Sequence, residues 1–143
     1  MTTDEKVPDG YAYEPSTSAF VNHLGKVFSR KIIDADGDET TSAAIWIEER
    51  HVNTWSLAHG SFLAGMAEIG CATCAYVRGG PPVVAIEMSM QFIGAPKLGE
   101  LLEVHGRITR RTRSLVFTQC RAEGNGKLVF TATAVQKVLD AQG

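Results

Sequence analysis

The chain has 143 residues, of which 44% are hydrophobic, and its formal net charge is −2 at pH 7. This length and apolar content predict one folded domain with its own core and exclude a disordered chain. The small negative charge gives no overall attraction to nucleic acid or to an anionic membrane, so we expect a small-molecule partner.

The first elements are short. Residues 1–15 are polar, contain two prolines and a glycine, and are expected to form a flexible N-terminal lead-in. Ser16 or Ser18 can then cap a short helix that stops near Gly25. Two β-like runs follow on either side of the polar segment ADGDET, and the Asp-Gly pair within it predicts a hairpin.

A long apolar segment from about Gly60 to Val77 predicts a helix, which a Gly-Gly-Pro-Pro turn ends. From Val83 onward, four runs of strand length alternate apolar and polar residues, and the segment Asn125-Gly126-Lys127 predicts a tight hairpin turn between the last two. Because no helix separates these runs, the sheet should be mostly antiparallel. The apolar helix must then be buried against one face of this sheet. We therefore predict an α+β fold in residues 16–140, with an antiparallel sheet wrapped around a long central helix.

Glu68 is the only charged side chain between Ser61 and Tyr76, where every other residue is apolar or small. A carboxylate in such a helix loses hydration, a cost that chains seldom carry without a use for the group. Just upstream, His59 and Gly60 place a hydrogen-bonding side chain and free backbone N–H groups at the helix N-terminus, which favours an oxyanion. The predicted active site therefore lies here.

The predicted site needs two chains. Glu68 follows Gly60 by eight residues, a distance of about 12 Å along a helix axis, so one chain cannot bring the two together. In a two-fold dimer with antiparallel central helices, Glu68 of one subunit would approach Gly60 of the other. We therefore expect a homodimer with a composite site.

The set formed by Asn53, the His59-Gly60 pair and Glu68, followed by the segment IEMSMQFIGAPKLGE, resembles the hotdog-fold acyl-CoA thioesterases, particularly the phenylacetate-pathway (PaaI-like) type. The resemblance covers roughly Phe20 to Leu139 and implies the hotdog fold. It also implies hydrolysis of acyl-CoA thioesters, with Glu68 as general base or as nucleophile and the Gly60 N–H as oxyanion donor. His59 would fix the carbonyl or the loop, and Asn53 would position water or the thioester.

Several positions depart from the family pattern. Glu68 stands where Asp is commoner, and Ser61 replaces the second glycine of the usual His-Gly-Gly. Ala85 stands where some relatives carry Ser or Thr to hold the attacking water. The acyl group of the substrate is therefore left open by the resemblance.

Arginines at a predicted hairpin turn could hold the phosphates of coenzyme A, because guanidinium groups pair well with phosphate oxygens. They are Arg110, Arg111 and Arg113, and the alternative is a solvated turn. Cys71 and Cys74 form a Cys-x-x-Cys within the helix without a second ligand pair for zinc, so we expect them to pack in the core.

Two other functions stay open for this fold. A hydratase or dehydratase would act on an enoyl or hydroxyacyl thioester, with His59 exchanging protons with the substrate. A non-catalytic module would only bind acyl-CoA. For the thioesterase we expect no metal or redox cofactor, coenzyme A being part of the substrate.

Three cysteines cannot all pair within one chain, and no apolar stretch follows a basic one at the N-terminus. We therefore expect a cytoplasmic protein, assembled as a homodimer or as a dimer of dimers (a homotetramer).

Overall fold

The longest helix, α2 (Gly60–Ala75), lies against one face of an antiparallel sheet. The computed structural model describes residues 6–140. Within them a short helix, α1, spans Ala19–Leu24, and the strands are β1 (Ala12–Tyr13), β2 (Phe28–Ile33), β3 (Glu39–Trp46), β4 (Val83–Phe92), β5 (Leu101–Arg111), β6 (Leu115–Gly124) and β7 (Lys127–Val138). The strand order is β1-β2-β3-β5-β6-β7-β4, and all neighbours are antiparallel. The predicted α+β hotdog architecture is confirmed.

The predicted hairpin turns form through local chemistry. Between β2 and β3, Asp34 Oδ1 accepts the backbone N–H of Asp36 at 3.0 Å and that of Asp38 at 2.9 Å. Between β6 and β7, Asn125 and Gly126 both have positive φ angles, 52° and 75°. Two successive residues in this conformation make the tight turn whose twist matches an antiparallel hairpin.

Helix α1 begins and ends where the sequence predicts. The Ser18 hydroxyl accepts the backbone N–H of Val21 at 3.3 Å and so caps the helix. Gly25 ends it with a φ of 135°, a conformation that favours glycine. Val21 and Leu24 then pack, partly buried, against the main core.

Helix α2 supplies one side of that core and the sheet supplies the other. The helix buries its sheet-facing side chains, namely Phe62, Leu63, Met66, Ala67, Ile69 and Cys71. Facing them are Val104, Cys120, Ala122, Phe130, Ala132 and Ala134. None of the helices within residues 6–140 has the length and apolar character needed to cross a membrane.

A close approach between α2 and β5 depends on the absence of a side chain at Gly106. A Cβ atom there would lie 2.8 Å from the backbone oxygen of Gly70 in α2. We expect Gly106→Ala to lower the free energy of unfolding by about 2–3 kcal/mol, since the helix must shift to accept the methyl group. Urea denaturation measures this loss. A change below about 0.5 kcal/mol would show that α2 has room to move.

Strand β4 ends the sheet, and much of its apolar surface is exposed. Val84, Ile86 and Phe92 are 42%, 57% and 56% exposed. A long edge strand with apolar side chains offers unpaired backbone groups to another chain. We call this strand, together with its exposed side chains Val84, Ile86 and Phe92, the β4 edge.

The prediction that residues 1–15 form a flexible lead-in is wrong for the later part of this segment. Ala12 and Tyr13 form β1 and pair with β2, while Tyr11 is only 9% exposed and donates its hydroxyl to Glu103 Oε2 at 2.8 Å. Aromatic burial and this long-range hydrogen bond hold a segment whose local composition favours disorder. Residues 1–5 lie outside the described residues.

Candidate active site

Glu68 lies on the face of α2 that the chain's own sheet leaves open. Its neighbours on that face, Ala64, Gly65 and Ala72, are half-buried like Glu68 itself. Within residues 6–140 its carboxylate makes no hydrogen bond or ion pair. Burial raises the pKa of Glu68 above its ordinary value of 4.5, because the charged form is poorly hydrated there. The side chain therefore combines partial burial with freedom to meet a ligand.

The N-terminus of α2 presents an open backbone donor. His59 is the N-cap, and its Nδ1 accepts the backbone N–H of Ser61 at 3.0 Å. In the neutral ring the proton is therefore on Nε2. The N–H of Gly60 makes no hydrogen bond within residues 6–140, and Gly60 is exposed. This donor and the positive end of the helix dipole can receive a developing oxyanion.

Asn53 organises the loop that leads into α2. Its Oδ1 accepts the backbone N–H groups of Trp55 at 2.9 Å and Leu57 at 3.2 Å. Its own N–H donates to the Leu57 carbonyl at 2.8 Å. Because the amide oxygen is occupied within the loop, only the Nδ2 donor is available to meet water or a thioester.

Glu68 and Gly60 stay apart within one chain. The helix between them is continuous. At a rise of about 1.5 Å per residue, eight residues separate them by about 12 Å along its axis. His59 and Gly60 are adjacent at the helix start, with Asn53 in the loop before them. The structure of a single chain thus brings together three of the four candidate residues at one helix end and places Glu68 further along the same helix.

A family model described as the thioesterase superfamily matches residues 56–129. The chain belongs to the thioesterase superfamily. It is also 30% identical over 131 residues to "Putative esterase PA0474" of Pseudomonas aeruginosa, covering 90% of this chain and 95% of that one. The predicted family is confirmed.

Solved structures share the fold of this thioesterase-superfamily chain. The Escherichia coli PaaI protein from the phenylacetic acid degradation operon superposes with a TM-score of 0.73 at 15% identity, covering 87% of this chain and 86% of that one. A hypothetical thioesterase of Streptococcus pneumoniae, solved with coenzyme A, gives a TM-score of 0.64 at 18% identity, covering 77% and 87%. At these identities the likeness establishes the hotdog fold.

Of the three arginines predicted to contact coenzyme A, one has a structural task in this superfamily member. Arg111 Nη2 donates to the backbone oxygen of Ala75 at 2.8 Å and so caps the C-terminal end of α2, where a cation is favourable. Arg110 and Arg113 are exposed. Neither has a carboxylate partner within residues 6–140.

His51 is a positioning residue that the sequence did not reveal. It is 2% exposed, and its ring stacks on Phe62 of α2 with the centroids 4.1 Å apart. Nδ1 accepts the N–H of Glu48 at 2.9 Å, so Nε2 donates to the Leu24 carbonyl at 2.6 Å. Its own carbonyl accepts the N–H of His59. Burial lowers the pKa of His51, which favours the neutral form of the ring in these contacts.

Of the two cysteines predicted to pack in the core, Cys71 is buried and Cys74 is half-buried. Cys71 and Cys120 are buried with their sulfur atoms 3.5 Å apart, and Cys74 Sγ donates to the Cys71 carbonyl. Across residues 6–140, no group of three or more His, Cys, Asp and Glu side chains is arranged to hold a metal ion.

Proposed function

We propose that the protein hydrolyses acyl-CoA thioesters to a free acid and coenzyme A. The observation that carries this proposal is Glu68, a half-buried carboxylate without a partner in the described chain, on the helix whose N-terminus offers the free Gly60 N–H. Membership of the thioesterase superfamily supplies the reaction class. A carboxylate and an oxyanion donor are the two groups that thioester hydrolysis needs.

The catalytic site is proposed to form between two subunits. The open face of α2 carries small side chains around Glu68, so a second helix can approach closely, and the β4 edge offers apolar surface and unpaired backbone groups beside it. An antiparallel crossing near Ala64 would set Glu68 opposite Gly60 of the partner subunit. A homodimer would bury the exposed apolar side chains of the β4 edge. Pairing of two such dimers gives the expected dimer of dimers.

In the proposed mechanism, water attacks the thioester carbonyl carbon while Glu68 takes the proton, and the Gly60 N–H donates to the oxyanion. The intermediate collapses, the C–S bond breaks and coenzyme A leaves as a thiolate. With a pKa of about 8.5, by analogy with cysteine, the thiolate departs without a general acid. If Glu68 is the nucleophile instead, it forms an anhydride that water then opens. The scheme uses no metal or redox cofactor.

The remaining candidates have supporting roles. His59 caps α2 and so orients the donor at Gly60, while Asn53 fixes the preceding loop and can present its Nδ2 group to water or the thioester. Arg110 and Arg113 are the exposed cations proposed to contact coenzyme A phosphates. We infer a cytoplasmic location from the unpaired cysteines.

Free-thiol release from a panel of phenylacetyl-, benzoyl-, short-chain and long-chain acyl-CoAs tests the proposal. We expect turnover of at least one of these substrates. Saturable binding of acyl-CoA without thiol release would instead indicate a binding module. Hydration of an enoyl-CoA that His59→Ala abolishes completely would indicate the hydratase alternative.

Gly65→Leu tests the interface between subunits. A Cβ atom at Gly65 meets nothing within 4 Å in the protomer, so a larger side chain leaves the fold intact. At a helix crossing the same side chain would hold the two helices apart. We expect size-exclusion chromatography with light scattering to show a monomer, and thiol release to fall at least about tenfold. A dimer that stays fully active in Gly65→Leu would contradict the antiparallel helix interface.

A further inference from the structure

The face of the sheet opposite α2 carries a cavity with a volume of about 960 Å³. Gly106 and Cys120 point toward the helix, because a Cβ on the first would meet Gly70 and the sulfur of the second contacts Ala67. Their neighbours along β5 and β6 therefore point to the outer face, since side chains alternate along a strand. The cavity thus lies on the other side of the sheet from the proposed catalytic site, and we call it the outer groove.

Strand register aligns the lining residues in two adjacent rows. One row crosses the sheet through paired residues in the order Arg30, Ser42, His105, Arg121, Thr131 and Gln91. The next row includes Arg107, Gln119 and Thr133. Residues in register share one face, so these side chains all lie on the outer face of the sheet. Ser42 does not line the groove, because it is 1% exposed and its hydroxyl hydrogen-bonds His105 Nδ1 at 2.7 Å. The other groups named line the groove.

The charged side chains that line the groove are all positive. Three arginines line it, Arg30, Arg107 and Arg121, and no Asp or Glu does. Arg121 pairs with Glu123, outside the lining, whereas Arg30 and Arg107 have no carboxylate partner within residues 6–140. On a chain of net charge −2, this is a concentrated positive surface in a concave site, which attracts anions.

Two of these arginines are already held in place. The Arg30 guanidinium lies over the Tyr11 ring, 4.8 Å from its centroid, and its Nε is buried without a hydrogen-bond partner. The Gln119 amide satisfies its neighbours when its oxygen faces Arg107, and in that orientation it accepts from Arg107 Nη2 at 2.9 Å. A guanidinium that is oriented but not neutralised loses little freedom on meeting a phosphate oxygen and gains charge-assisted hydrogen bonds.

We propose that this outer groove binds a phosphorylated small molecule of nucleotide size. Guanidinium groups match phosphate oxygens in geometry, the threonine hydroxyls and Gln119 can serve a sugar or base, and the volume suits such a ligand. The same phosphate chemistry belongs to a free nucleoside diphosphate and to the nucleotide end of coenzyme A. The site is separate from Glu68 and stands whether or not the catalytic proposal holds.

A second copy of this chain fits the groove poorly. Packing about a two-fold axis would set the arginines of one subunit against the same arginines of the other, and like charges across an interface are unfavourable. The outer groove therefore favours an anionic ligand over the outer face of another subunit.

Isothermal titration calorimetry with ADP, inorganic pyrophosphate and coenzyme A tests the proposal at low and at high salt. We expect saturable ADP binding that weakens at high salt and weakens about tenfold or more in Arg107→Gln and in Arg30→Gln. Lys31→Gln is the matched control, because Lys31 adjoins Arg30 on β2 and pairs with Glu39 outside the groove. Its ADP affinity should equal that of wild type. Thermal melts check that each variant folds.

A competition experiment between ADP and coenzyme A shows which phosphorylated molecule the groove binds. Displacement of ADP by coenzyme A, with the same dependence on Arg107, would support the nucleotide end of coenzyme A as the ligand. ADP binding that coenzyme A does not displace would support a free nucleotide. The proposal fails if no probe binds saturably, if Arg107→Gln and Arg30→Gln bind like wild type, or if only Arg110→Gln weakens ADP binding. It also fails if Arg107→Gln changes the oligomeric state while no anion binds.

Discussion

Replacing Glu68 by Gln should reduce thioester hydrolysis by about 10³-fold, within the range of 10²–10⁴ for loss of a positioned base. Gln keeps the shape of the side chain but can neither take a proton from water nor form an anhydride. Glu49→Gln is the control, because Glu49 is also acidic but exposed and outside α2. Thiol release within a few-fold of wild type in Glu68→Gln would rule out both proposed roles of the carboxylate.

The same substitution, which should lower activity, should raise the stability of the fold. Burial raises the pKa of Glu68 in the folded state, so at neutral pH the fold must hold an ionised group that water would hydrate better. Glu68→Gln should therefore be more stable than wild type at pH 7. The difference should shrink as the pH falls through the raised pKa toward 4.5, where Glu68 gains its proton in the folded and unfolded states alike. Urea denaturation across this pH range measures it.

Replacing Gly60 by Pro should lower kcat by about 10²–10³-fold with little change in KM, because it deletes an N–H that matters most in the transition state. Proline is well tolerated at the first position of a helix, and the Gly60 N–H has no partner within residues 6–140 to lose. His59 has φ −68° and ψ 140°, which suits a residue before proline. Gly60→Ala is the matched control.

Gly60→Ala keeps the N–H, and its Cβ would make an ordinary contact of 3.7 Å with Phe92. It should therefore retain activity within a few-fold of wild type. If Gly60→Ala and Gly60→Pro lose activity equally, the side chain and not the donor is responsible, and the oxyanion role is wrong.

Mixing the two inactive variants separates a shared site from one within a single chain. In a dimer of one Glu68→Gln subunit and one Gly60→Pro subunit, a composite arrangement leaves one of the two sites intact. Random exchange of subunits should then restore about a quarter of the wild-type activity. Mixed dimers without activity would show that each site takes both groups from one chain.

The parts of this molecule that sequence reasoning found are those set by local chemistry. The Ser18 cap, the Asn125-Gly126 turn and the apolar run of α2 each act over a few residues, so their effect can be read from neighbours in the chain. Glu68 stood out for the same reason, as one charge in an apolar helix. The candidate residues could therefore be named one by one from the sequence, whereas their proposed assembly between two subunits depends on contacts outside a single chain.

What the sequence did not reveal depends on contacts between distant residues. Tyr11 is ordered by Glu103, 92 positions away, and Arg111 reaches the end of α2, 36 positions away. The outer groove exists because strand register aligns Arg30 and Arg121 on one row across the sheet. None of these pairings has a signature in the local pattern, so composition predicted a flexible N-terminus, and for Arg111 the sequence offered only a coenzyme A contact or a solvated turn.

The position of β4 at the end of the sheet also sets the order in which the chain can fold. Strand β4 directly follows α2 but pairs with β7 (Lys127–Val138), which is made only after β5 and β6. On the ribosome, β2 and β3 can form their hairpin early, whereas β4 has no neighbouring strand until β7 emerges. Helix α2, which carries Glu68, therefore lacks its packing partners β5, β6 and β7 until the strands beyond β4 have been made, and its apolar face stays exposed until then.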